Sequence, residues 1–158
     1  DWGTLDYLVV DLPPGTGDAQ LTLSQKVPIT GVVIVSTPQA VALADVRRGV
    51  NMFLKVDVPV LGVIENMSYY LCPQCGHRAD IFDHGGARAE AEAMGAEFLG
   101  EIPLDIMIRE DSDAGHPLLV AHPDSLHAGR YLEIAARVAA RVAAMGFATP
   151  RFPDIVVE

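Results

Sequence analysis

Lysine is scarce in this chain. Lys26 and Lys55 are the whole supply, and neither lies in a glycine-rich loop. No Gly-Lys-Ser or Gly-Lys-Thr occurs anywhere. A P-loop needs a lysine that reaches the β- and γ-phosphates and a hydroxyl for Mg²⁺, so this chain does not supply that arm of a phosphate site. Positive charge is thin overall: 11 Lys and Arg face 21 Asp and Glu, for a net charge of -10. Affinity for phosphate backbones and anionic lipid comes from clustered cations, so nucleic acid and membrane are not expected as partners. No apolar run approaches the ~20 residues of a membrane span, and there is no signal-peptide pattern. There are two cysteines, three positions apart, which argues against a secreted disulfide framework and makes a reducing, cytoplasmic setting the expectation. An initiating methionine is missing too. The chain opens with Asp1-Trp2 on the approach to an apolar strand and reads as a piece of something longer.

What is present has a clear rhythm. The 158 residues suit one domain with a real core. Four short apolar runs have strand character: Tyr7 to Val10, Gly31 to Ser36, Val60 to Glu65 and Glu97 to Ile102. The first three are Val/Ile/Leu-rich without alternation, as strands buried on both faces should be. Helical stretches fall at about Asp18 to Lys26, Ala40 to Leu54 and Gly86 to Met94, and a last one runs from a Ser125 cap to near Gly146. The expected fold is α/β, an open, mostly parallel sheet with helices on both faces. It covers residues 1–145, with an insertion near 67–85 and an extended tail over 146–158.

Each strand is followed by polar or loop-forming residues: Asp11, then Ser36-Thr37-Pro38, then Asn66, then Pro103-Leu104-Asp105. In an open parallel sheet these carboxyl ends share one edge, where ligands bind. Asp11 suits Mg²⁺, a hard cation that wants carboxylate oxygen. Gly15 and Gly17 let the backbone approach a phosphate and offer N–H groups, and a helix starting near Asp18 points its positive end into the same space. A rigid turn capped by Asp18 fits the same residues.

Between the third strand and the next helix stands NMSYYLCPQCGHRADIFDHGG. Cys72 and Cys75 have metal-ligand spacing, and Gly76 gives the chain room to turn. Tetrahedral Zn²⁺ or an iron–sulfur cluster wants four ligands, and one chain offers two thiols. Two chains each giving a pair, a Cys₂His₂ site completed by His77 and His84, a redox pair and plain structural thiols all remain open on spacing.

Taken together, LDYLVVDLPPGTGDAQLTLSQ, GVVIVSTPQAVALADVRRG, VLGVIENMSYYLCPQCG, IFDHGGA and FLGEIPLDIMIREDSDAG resemble the Mrp/ApbC-type P-loop ATPases. These are iron–sulfur cluster carriers related to the MinD/ParA proteins and the nitrogenase iron protein. The resemblance runs to about Met145. It implies that Asp11 organises Mg²⁺ for ATP and that the Gly15 N–H meets the γ-phosphate. It also implies that Asn66 reads the adenine, with Pro103, Leu104 and Asp105 as the far wall of the base pocket. Cys72 and Cys75 would bind a [4Fe–4S] cluster between two subunits of a homodimer that serves apo iron–sulfur proteins, in the cytoplasm or, in a eukaryote, the mitochondrial matrix. The family's lysine-bearing loop would precede Asp1, and its strand would sit beside the one ending at Asp11. Without that strand an open apolar seam is expected, and ATP hydrolysis is expected of the parent protein and not of this chain alone. A zinc-binding interaction module and a MinD/ParA-like positioning ATPase are the rival readings.

Overall fold

The computed structural model describes residues 2–13, 15 and 17–146; the tail expected over 146–158 lies, apart from Gly146, outside the described residues. The element order is α1 (Asp18–Lys26), β1 (Val32–Ser36), α2 (Ala40–Lys55), β2 (Val60–Glu65), β3 (Tyr70–Leu71), β4 (Arg78–Ala79), α3 (Gly86–Ala93), β5 (Phe98–Glu101), α4 (Ile106–Asp113), α5 (Leu118–Ala121) and α6 (Leu126–Ala144).

β1, β2 and β5 form a parallel sheet with β2 in the middle. Side chains alternate across it, as the pleat requires. On one face Ile34, Val63 and Phe98 pack with Ala87 and Ala91 of α3 and Leu43 of α2. On the other, Val33, Ile64 and Leu99 pack with Tyr131, Ile134 and Val138 of α6. This is the α/β sheet with helices on both faces that the sequence predicts. Two glycines are fixed by close approach. A Cβ on Gly100, whose φ is +155°, would stand 2.7 Å from Ile134 Cγ1, and one on Gly86 would stand 2.8 Å from the Pro38 carbonyl oxygen. Each admits a helix tight against its neighbour.

α2 and α3 are also joined by charge. Arg47 donates from Nε and Nη2 to the two carboxylate oxygens of Glu90, each at 2.6 Å, a bidentate fork. This hydrogen bond holds Glu90 below the usual carboxylate range, against the upward push of burial. A carboxylate with a depressed folded-state pKa stabilises the fold above its unfolded pKa and loses that contribution as pH falls through the folded one. Glu90→Gln is therefore expected to be less stable than the native chain at neutral pH and to converge on it in acid, below the range in which free carboxylates titrate. A gap in denaturant midpoint that stays constant across that range would refute this role.

The run Tyr7 to Val10 departs from expectation. It forms no strand and no sheet partner reaches it among the described residues. Val9 is 90% exposed, Leu8 61% and Val10 54%, while Val35, on edge strand β1, is 59% exposed. The composition is that of an interior strand, but such a strand needs a neighbour to accept its N–H and C=O groups and cover its faces. The result is an apolar seam along residues 5–10. The start of α1 differs in detail: Gly17, not Asp18, is the N-cap, and Asp18 is the first helical residue. Ser125 does cap α6, its Oγ accepting from Ala128 N at 3.1 Å.

Candidate functional site

The carboxyl ends of β1, β2 and β5 are laced together by backbone bonds. Asn66 N donates to Ser36 O at 2.7 Å, Ile102 N to Glu65 O at 2.8 Å and Ser68 N to Ile102 O at 3.0 Å. Leu104 N then donates to Tyr69 O at 2.7 Å, and a parallel bridge pairs Tyr70 with Leu104. Asn66, Pro103, Leu104 and Asp105 are thus brought to one edge. Asn66 is half-buried, and its Oδ1 accepts from Met67 N at 3.0 Å, which leaves its amide NH₂ for a ligand. Pro103 is buried and Leu104 half-buried, an apolar surface beside that amide. Asp105 is committed elsewhere: one oxygen caps α4 through Met107 N at 2.8 Å and the other meets His127 Nε2 at 3.1 Å. The Ser36 hydroxyl is spent on the carbonyl of Thr37 at 3.0 Å.

Asp11 and Gly15 are not joined to this group. No hydrogen bond or ion pair among the described residues links them to the Asn66 edge, and both are exposed. Gly15 has φ +95°, which only glycine adopts freely, and the loop is tied to α1 by the buried Gln20, whose Nε2 donates to Pro13 O at 2.6 Å and Gly15 O at 3.1 Å. Gln20 was not foreseen from the sequence. Its signal is a polar residue at the first inward position of a short helix.

The cysteines occupy the tip of a hairpin rooted on the same edge. β3 and β4 pair antiparallel, Tyr70 with Ala79 and Leu71 with Arg78. At the turn Cys72 N donates to His77 O at 2.9 Å, Gly76 N donates back to Cys72 O at 2.8 Å, and Gly76 takes φ +70°. Cys72 is half-buried, Cys75 is exposed and both thiols are free. The backbone N–H groups of Cys75 and Gln74, and then the Cys75 thiol, hold the Cys72 thiol below the ordinary range, which favours the thiolate that binds metal. Among the described residues no group of three or more His, Cys, Asp and Glu is placed to hold a metal ion, so His77 and His84 do not complete a four-ligand set with the pair. His84 is occupied instead, with Arg78 Nη2 at 2.9 Å and Ser68 Oγ at 3.3 Å from its Nδ1.

A residue absent from the expectations closes the base of this excursion. Glu65, the last residue of β2, is fully buried. Its Oε1 accepts from Ser68 Oγ at 2.5 Å and Gly85 N at 3.1 Å, and its Oε2 from Ala87 N at 2.8 Å. The carboxylate thus sits at the N-terminus of α3, where free N–H groups and the helix dipole favour an anion. The sequence clue was a lone acid ending the apolar run VLGVI.

Comparison with known proteins shows the family. A family model described as ParA, NUBPL iron-transfer P-loop NTPase, matches residues 1–139. The chain is 59% identical over 138 residues to the iron-sulfur cluster transfer protein NUBPL of Dictyostelium discoideum, covering 87% of this chain and 43% of that protein. It is 52% identical over 149 residues to the iron-sulfur cluster carrier protein of Salmonella typhimurium, covering 94% and 40% respectively. The chain therefore spans less than half the length of these curated relatives. Among solved structures, a nucleotide-binding protein from Archaeoglobus fulgidus in complex with ADP superposes with a TM-score of 0.68 at 44% identity, over 78% of this chain and 50% of that one. A match over that much of the sequence, on a parallel sheet of this connectivity, makes the chain a member of the NUBPL iron-transfer P-loop NTPase family.

Proposed function

We propose that this chain is part of an ATP-dependent iron–sulfur cluster carrier in which Cys72 and Cys75 from two copies hold a bridging [4Fe–4S] cluster, the cargo handed to apoproteins. The observation that carries this reading is the hairpin tip: two free thiols, one half-buried and one exposed, with no third ligand placed beside them among the described residues. A cluster wants four ligands, so two symmetry-related pairs satisfy it. The same feature weakens the zinc-module reading, since His84 is engaged by Arg78 and Ser68. The cysteine pair also sets the chain apart from a purely positioning ATPase of the MinD/ParA kind. The amide of Asn66 beside Pro103 and Leu104 suits an adenine ring, and Asp11 and Gly15 suit Mg²⁺ and the terminal phosphate of ATP. Asp105 borders the base through its backbone, its carboxylate being engaged. The names of the relatives support the cargo, and the ADP complex of the archaeal neighbour supports the nucleotide. The proposed setting is the cytoplasm, or the mitochondrial matrix in a eukaryote; no helix among the described residues is long and apolar enough to cross a membrane.

Anaerobic reconstitution of the intact protein with iron and sulfide tests the reading. About four iron and four sulfide per pair of chains, with a visible absorption band and a doubled mass, are expected for a bridging cubane. Zinc that survives aerobic and anaerobic purification alike, with His77 or His84 needed to retain it, would replace the carrier reading with a zinc module.

A further inference from the structure

Among the described residues β5 is the outer strand of the sheet on the side away from β1. Beside it opens a cavity of about 220 Å³ between α3, α6 and the root of the cysteine hairpin. Four of the chain's nine arginines reach it: Arg78, Arg88, Arg130 and Arg137. Two are held in place by aromatic rings, Arg78 4.3 Å from the centroid of Tyr69 and Arg88 4.1 Å from that of Phe98. Arg137 Nη1 donates to the backbone oxygen of Phe98 at 3.4 Å, so a carbonyl of the edge strand faces into this space and is met by a side chain.

The local charge runs against the rest of the molecule. Two carboxylates share the cavity, Glu101 at 3.4 Å from Arg88 and Glu133 at 3.3 Å from Arg130, and Arg78 also pairs with Asp80 at 3.0 Å. Apart from the half-buried Glu101 the partners are solvent-exposed, and exposed pairs exchange partners at little cost. Four guanidiniums against these three carboxylates leave the groove net positive on a chain whose net charge is -10. An acidic partner is repelled by most of the surface and steered to this edge.

We propose that the β5 edge is a docking site for an extended acidic segment of a partner protein, which adds to the sheet as a further strand and lays its carboxylates on Arg130 and Arg137. Strand addition supplies backbone hydrogen bonds, and alternate side chains supply specificity. Arg130 and Arg137 are seven residues apart on α6, or about 10 Å along its axis. An extended chain advances about 3.4 Å per residue, so acidic residues two to four positions apart span that distance. The assignment is independent of the cysteine cargo, because neither thiol lines the groove.

The test is fluorescence anisotropy of the intact protein with labelled twelve-residue peptides at low salt. A peptide alternating Glu and Val should bind and weaken as salt rises, and one alternating Lys and Val should not bind. A third peptide keeps the same glutamates but has Pro at alternate valines; it retains the charge, cannot pair as a strand, and should lose at least tenfold in affinity. Arg130→Gln/Arg137→Gln should weaken the Glu-Val peptide at least tenfold while leaving the circular dichroism and reconstituted iron content unchanged. Equal binding by the double variant overturns the site. Equal binding by the proline peptide overturns strand addition. An RNA oligonucleotide that binds through the same arginines and displaces the peptide overturns the assignment to a protein partner.

Discussion

Glu65→Ala is expected to destabilise the chain by about 4 kcal/mol and to lower its melting temperature by roughly 10 °C for a domain of this size. The carboxylate is fully buried and satisfies three donors: the Ser68 hydroxyl, Gly85 N and Ala87 N. Truncation leaves the buried Ala87 N–H and the part-buried Gly85 N–H without an acceptor, at about 1–3 kcal/mol for a fully buried group, and leaves a void where the side chain stood. Glu65→Gln keeps the volume but turns an NH₂ toward a donor, so it should lose about half as much. Because these bonds close the excursion between Asn66 and Gly85, both variants should be cut faster by protease within residues 72–84 than elsewhere. Denaturant unfolding and limited proteolysis are the measurements. Two variants within about 1 kcal/mol of the native chain, with unchanged cleavage, would show that Glu65 is not the clamp.

Cys72→Ser is expected to abolish cluster binding, not to halve it. In a two-fold symmetric site each substitution is made twice, so a single change removes two of four ligands. A serine hydroxyl does not ionise at neutral pH and is a poor ligand for iron in a sulfide cluster. Cys75→Ser should behave alike, although Cys75 is the more exposed of the two. Reconstituted iron and sulfide should fall to background in either variant, and the doubled mass should disappear with them. Mixing variant and native protein should give a three-thiolate species of intermediate stability toward chelator. Retention of more than half the iron by either variant would sink the two-plus-two arrangement. Loss of iron with the dimer intact would separate ligation from assembly.

The legible part of the fold was the part that packing dictates. The sequence places α1 at its observed ends because Gly17 and Pro28 bracket it, and β2 likewise because its apolar run starts after Pro59 and stops at Glu65-Asn66. The hairpin of β3 and β4 leaves no strand signal in the sequence, since two residues per strand are too few to show any period. α4 was not expected: beyond Ile106, Met107 and Ile108 it is polar, and only its Asp105 cap marks it. Tyr7 to Val10 failed for the opposite reason. The residues declare a buried strand, but pairing is a property of two segments, and the second is not supplied by the described residues. In the site, the backbone edge that gathers Asn66 and Leu104 follows from the parallel order. The pairing of Asp105 with His127 and the use of Glu65 as a clamp do not, because both depend on partners 20 or more residues away.

The brevity of that hairpin has a mechanical consequence. Its ladder pairs only Tyr70 with Ala79 and Leu71 with Arg78, so the tip resists displacement far less than the sheet beneath it. Its root, by contrast, is anchored through Leu104 N to Tyr69 O and through the carboxylate of Glu65. A stiff base with a pliant end lets the two sulfur atoms shift by ångströms while the strand edge that presents Asn66 stays still. If the pair ligates a cluster as proposed, the thiols would settle around that rigid inorganic cage and follow it outward without the sheet having to bend.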